Sequence, residues 1–115
     1  MAEGINEKIT ESQLLNCIIK ELGKHGPVFR CNAGNVKTDK GDRFQGLPKG
    51  FSDILFVNPS DGVACFVEVK TDRGTLSPHQ SVFIDRMKSK NARAGVARSI
   101  DEAIEICGLT VEDLL

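Results

Sequence analysis

Ser52-Asp53-Ile54-Leu55-Phe56-Val57-Asn58-Pro59-Ser60-Asp61-Gly62-Val63-Ala64-Cys65-Phe66-Val67-Glu68-Val69-Lys70 joins two apolar runs through a cluster of turn residues. Ser52–Val57 and Val63–Lys70 read as strands, and Asn58-Pro59-Ser60-Asp61-Gly62 reads as the turn between them. A turn centred between Ser60 and Asp61 sets an antiparallel register in which Val57 meets Ala64, Leu55 meets Phe66 and Asp53 meets Glu68. Directly opposed residues have Cβ atoms about 4.5–5.5 Å apart, and like charges there are destabilising. Two carboxylates held that way call for a cation, most simply a divalent metal ion. A slip of one residue would send Asp53 to the face opposite Glu68 and break the arrangement.

Side chains alternate along a strand, so Glu68 and Lys70 share one face while Cys65, Val67 and Val69 line the other. One patch of sheet is thus expected to carry two carboxylates and an ammonium group.

Upstream, Thr10-Glu11-Ser12-Gln13 has the form of a capping box, followed by Leu14, Leu15, Ile18, Ile19 and Leu22 at helical spacing. Gly23 and Gly26-Pro27 end that helix, and Val28–Asn32 reads as a short strand. Ala33 to Gly50 is polar and glycine-rich and reads as a long loop, of a kind that is usually functional or mobile. Downstream, Ser77-Pro78-His79-Gln80 opens a second helix, with Ser77 as N-cap, Pro78 at the first position and Gln80 closing the box. Val82, Phe83 and Met87 are its expected buried side. Ala94–Arg98 is a fourth strand, and Ser99 caps a third helix that Gly108 ends, with a last turn over Thr110–Leu115. The order α-β-β-β-α-β-α predicts an α/β fold: one mixed sheet, antiparallel first and then parallel across a helix, with helices on its faces. Residues 1–115 are expected to form one domain, with residues 1–9 disordered.

With 115 residues, 40% hydrophobic and 27% charged, the composition is that of an ordinary globular protein. No apolar run reaches the roughly 20 residues of a membrane span, and the N-terminal residues do not have a signal-peptide pattern, so a soluble, cytoplasmic protein is expected. Cys17, Cys31, Cys65 and Cys107 form no CxxC pair and lie among apolar neighbours, which predicts buried reduced thiols and no zinc knuckle. His25 and His79 lack ligand spacing and read as surface or capping residues. The net charge of −1 conceals a basic middle: residues 24–98 hold 13 Lys and Arg against 7 Asp and Glu. Such a distribution suits a polyanion such as nucleic acid, although many solvated surfaces are similarly uneven. Tyr and Trp are absent, which argues against a stacking platform for single strands.

Four motifs in order carry a resemblance. Arg30-Cys31-Asn32-Ala33-Gly34, Gly50-Phe51-Ser52-Asp53, Glu68-Val69-Lys70 and Ser77-Pro78-His79-Gln80 resemble the R-x-N, G-x-P-D, E-x-K and S-P-x-Q segments of the VRR-NUC branch of the PD-(D/E)xK nuclease superfamily. The similarity runs from about Glu11 to Ser99, with Ser52 where the motif has proline. It implies a restriction-endonuclease-like fold and structure-specific cleavage of DNA, on branched or Holliday-junction-like substrates, with Mg²⁺ or Mn²⁺. Stand-alone members of this kind occur in phages, and size together with family analogy suggests a homodimer.

By this resemblance Asp53, Glu68 and the backbone carbonyl of Val69 are the expected metal ligands. Lys70 is expected to orient the attacking water and stabilise negative charge. Gln80 either closes its capping box or points into the site, and the two are compatible. Glu11 is either an acid near the metal or simply favourable to the helix dipole. Arg30 and Asn32, with Lys37, Lys40, Arg43 and Lys49, are candidate DNA contacts, against solvated surface charge as the plain alternative. The competing functions are a DNA-binding module of the same fold without cleavage, a structural or interaction domain with an accidental motif, and a nuclease acting on RNA or single-stranded ends.

Overall fold

The computed structural model describes residues 8–31, 35–37, 41 and 43–115, with the backbone path alone for 35–37 and 43–45. Helix α1 (Glu11–Gly23) starts at Thr10, whose hydroxyl accepts from Gln13 N–H while the Gln13 side chain accepts from Thr10 N–H. Leu14, Leu15, Ile18 and Leu22 form its buried stripe. Cys17 lies well round the helix from that stripe at 100° per residue and is exposed, and Cys31 is only half-buried, so burial holds for Cys65 and Cys107 alone. All four thiols are free.

The principal sheet has the order β1-β4-β5-β6, from strands β1 (Val28–Arg30), β4 (Ile54–Val57), β5 (Ala64–Val69) and β6 (Arg93–Ala97). β4 pairs antiparallel with β1 and β5, whereas β6 joins β5 in parallel after helix α2 (Pro78–Ser89). The mixed sheet flanked by helices is the expected one, and so is its register: Val57 faces Ala64 and Leu55 faces Phe66. Between β1 and β4 the polar segment read as a loop holds a further antiparallel pair, β2 (Asn35–Lys37) and β3 (Arg43–Gln45). Each of these strands is three residues long with one apolar residue at its centre, too short for alternation to show in sequence.

Cys65, Val67 and Val69 are fully buried, in one cluster with α1, Ala103 of helix α3 (Ile100–Ile106) and Cys107. The opposite face of the sheet carries α2. There Ile84 is the buried residue, while Val82, expected inside, is 55% exposed. Val82, Phe83 and Met87 instead line an open groove of about 580 Å³ with Pro48 and Phe51. A last turn, α4 (Val111–Leu114), follows the break at Gly108, which has φ +68°. Among the described residues no helix is long and apolar enough to cross a membrane.

The β4–β5 turn is fixed by a buried amide. Asn58 donates to the Cys107 carbonyl at 2.9 Å and accepts from Ser60 N–H at 2.9 Å, tying the turn to the end of α3. Asn58→Ala would remove both hydrogen bonds and leave a gap at a buried position, at a cost of about 1–3 kcal/mol. Urea unfolding of this variant is expected to show a lowered midpoint with little change in slope.

Candidate active site

The β4–β5 register puts Ile54 opposite Val67, so Asp53 and Glu68 are the next facing positions. β1 holds the start of β4 in place, since Cys31 N–H donates to the Asp53 carbonyl at 2.8 Å. The Asp53 carboxylate reaches across the pair and accepts Val69 N–H through Oδ2 at 2.8 Å. Glu68 is only 2% exposed. Its Oε2 accepts from Gln80 Nε2 at 2.9 Å and lies 3.9 Å from Lys70 Nζ. Its Oε1 is buried and has no partner among the described residues.

Burial pushes the Glu68 carboxyl up from 4.5 to about 8, and the charge and contact of Asp53 push the same way. Lys70 opposes the shift, while Glu11 at the start of α1 adds to it through its charge. An unpartnered buried carboxylate oxygen is costly, and either a proton or a cation resolves it. The donors are hard oxygens, which fit an ion of the Mg²⁺ or Mn²⁺ type better than zinc. Among the described residues no three His, Cys, Asp or Glu side chains gather to hold a metal. The pair of carboxylates would therefore need backbone, water or substrate oxygens to complete a coordination shell.

Gln80 closes its capping box and also reaches the Glu68 carboxyl. Its Oε1 accepts Ser77 N–H at 2.9 Å, closing the capping box of α2, which leaves Nε2 to donate to Glu68. The cap therefore fixes the orientation of the amide that holds the carboxylate. α2 itself is pinned in two ways. Phe51, Phe66 and Phe83 pack as a trio, with centroids 4.6–5.8 Å apart, joining the segment before Asp53, the strand of Glu68 and the helix of Gln80. Gly50, at φ +90°, lies against the backbone of His79; a Cβ there would sit 2.5 Å from the His79 oxygen. Lys70 is placed by a similar close fit, its stem packing against Gly74, where a Cβ would come within 3.1 Å of Lys70 Cδ.

Asp53, Glu68, Lys70 and Gln80 are thus brought together, and Val69 contributes its N–H to the same knot. Glu11 reaches the site only through its field. Arg30 is exposed on β1 and donates to the Asn16 side chain at 3.3 Å, and Lys49 lines the α2 groove. The hairpin register sets Lys37 opposite Arg43. Asn32, Lys40, the side chains of Lys37 and Arg43, and the leader up to residue 7 lie outside the described residues. The aromatic trio and the Gly50 packing were not anticipated. The available signal was spacing: Phe51 and Phe66 each precede a site carboxylate by two residues, which places both on its face of the sheet.

A family model for the VRR-NUC domain matches residues 2–101. A solved structure described as a VRR_NUC domain superposes with a TM-score of 0.58 at 23% identity, covering 88% of this chain and 98% of that one. No curated protein sequence matches significantly.

The Glu68 shift has a sign that unfolding can test. Its folded pKa lies above the unfolded value, so its contribution to stability is complete below about pH 4.5 and is lost as pH rises through about 8. In chelator, stability is expected to fall over that window by up to about 1.4 kcal/mol per pH unit from this group. Glu68→Gln, which keeps the bond to Gln80 and removes the titration, is expected to flatten the profile. Parallel profiles for the two proteins would refute the assignment.

Proposed function

Because the chain belongs to the VRR-NUC domain family, a nuclease-type domain family, we propose that it is a metal-dependent, structure-specific DNA endonuclease. The single observation that carries the metal site is Glu68 Oε1, a buried carboxyl oxygen with no partner among the described residues, beside a second carboxylate. Asp53 and Glu68 hold the ion, Mg²⁺ or Mn²⁺, and the carbonyl of Val69 is the third protein ligand in this reading. When bound, such an ion supplies a more acidic water and draws charge from the phosphoryl oxygens.

The side chains around it have separate tasks. Lys70, whose side chain is only 15% exposed and whose ammonium is held near Glu68, orients the attacking water and stabilises negative charge gathering on the phosphoryl group. Gln80 keeps the Glu68 carboxylate in one rotamer, and Gly50 lets α2 approach closely enough for that bond to form. The substrate is branched DNA, recognised by shape, and a homodimer presents two sites to two strands. Glu11 tunes the charge of the pocket, and Arg30, Lys37, Arg43 and Lys49 contact phosphates.

Incubation of labelled junction, flap, nicked and linear DNA with Mg²⁺ or Mn²⁺ tests this reading. Cleavage is expected on the branched substrates and is expected to vanish in Glu68→Ala and Asp53→Ala. Intact DNA under all conditions, together with no heat of Mn²⁺ binding by calorimetry, would leave a binding module instead. Light scattering with and without DNA checks the dimer.

Gly50 offers a sharper test of geometry. Gly62 has a similar φ of +74° with nothing near its missing Cβ, so Gly62→Ala carries the backbone strain without the collision. Gly50→Ala is expected to lower kcat by about tenfold or more, since misplacement of about 1 Å is that costly. Gly62→Ala is expected to lose stability while keeping kcat. Equal kcat values in the two variants would remove Gly50 from the positioning of α2.

A further inference from the structure

A second pocket opens beside the site and shares none of its four side chains. It has a volume of about 280 Å³, and its cations are Lys8, Arg73 and Arg98, with Asp72 the one carboxylate among its lining residues. We propose that Arg73, Arg98 and Lys8 form an anion subsite that grips a phosphate of the nucleic-acid strand near the one being cut. This rests on the nuclease reading of the carboxylate pair for its ligand, and on the following geometry for its existence.

β5 and β6 run parallel, so Thr71–Arg73 and Arg98 leave the sheet at the same end, just past Lys70. Lys70 N–H donates to the Ala97 carbonyl at 3.1 Å, joining the two strands one residue before Arg98. The Thr71 carbonyl accepts both Gly74 N–H and Arg98 Nη1. One oxygen therefore fastens the turn that carries Arg73 to the strand end that carries Arg98. The same turn packs against the Lys70 stem through Gly74, so the pocket and the lysine of the site share one support.

The charges are available to a ligand. Among the described residues neither arginine is in an ion pair, and Glu102 of α3 is engaged by Arg98 N–H at 2.6 Å. A guanidinium anchored through one nitrogen keeps further donors for a phosphate, which arginine binds in a forked geometry. Ile9 and Leu14 give the pocket an apolar wall, a surface for a sugar ring and poor for a hydrated inorganic ion. The ligand is a phosphate group of DNA, either an internal diester or a terminal monoester.

Binding without cleavage separates this proposal from the nuclease reading. Branched DNA is titrated by fluorescence anisotropy in chelator, with Lys24→Ala, at the far end of α1, as control. Arg73→Glu, a change at an exposed position, is expected to weaken binding about tenfold or more and to lower the salt slope by about 0.9 for each phosphate no longer neutralised. Arg98→Lys, which keeps the charge and loses the fork, is expected to fall between the two. Neutral methylphosphonate linkages, placed one at a time, are then expected to reveal one position whose penalty disappears in Arg73→Glu. If that position is internal the ligand is a diester, and if only loss of a terminal phosphate has this effect it is a monoester. Unchanged affinity and salt slope in Arg73→Glu, or identical penalties in variant and parent both at every linkage and on loss of the terminal phosphate, would overturn the proposal, whatever the protein does to DNA with Mn²⁺.

Discussion

A carboxylate kept out of water governs this molecule. Glu68 lies on the central strand β5 with 2% of its surface exposed, beside a second acid and with one oxygen unpartnered among the described residues. Nothing about packing requires it; an apolar residue there would extend the interior at lower cost. The rest of the architecture acts to hold that unfavourable group in one place. β1 anchors the start of β4, β4 presents Asp53, Asp53 locks onto Val69 N–H, and α2 delivers an amide to the remaining oxygen.

The amide of Gln80 shows how local and tertiary structure share one group. A capping box is a local device that satisfies backbone donors at a helix start. Here the same side chain continues into the site, so the stability of the α2 terminus and the rotamer of Glu68 are coupled through two ends of one planar group. That coupling works only if α2 lies at a fixed distance from the sheet. The phenylalanine trio draws the helix inward, while the close approach of Gly50 to His79 sets how near it can come. Attraction and a steric stop together define the position better than either alone.

The hairpin and its register were legible because three constraints agree: a dense turn, alternating burial on both strands, and a charge pair that only one register brings together. The helix starts were legible for a similar reason, since Thr10, Ser77 and Ser99 each carry a local signal that the structure uses. What escaped was non-local. β2 and β3 are three-residue strands held by pairing to each other, and three residues carry no period. Val82 looked buried because helical spacing identifies an apolar side without saying whether anything covers it. The role of Gly50 depends on a backbone 29 positions away, which no reading of its neighbours contains.

The charge distribution takes on meaning in the same frame. Along the sequence, cations and acids merely alternate between a basic middle and acidic ends. In space some of them gather at the two ends of the strands. The β4–β5 turn marks one end, where Asp113 of α4 accepts from Ser60 and where Arg93 is neutralised by Asp61 at 2.6 Å. The other end holds the two carboxylates, and there Lys70, Arg73 and Arg98 leave β5 and β6 together. A chain with a net charge of −1 thus brings Lys70, Arg73 and Arg98 to the end of the sheet that holds the buried carboxylate pair.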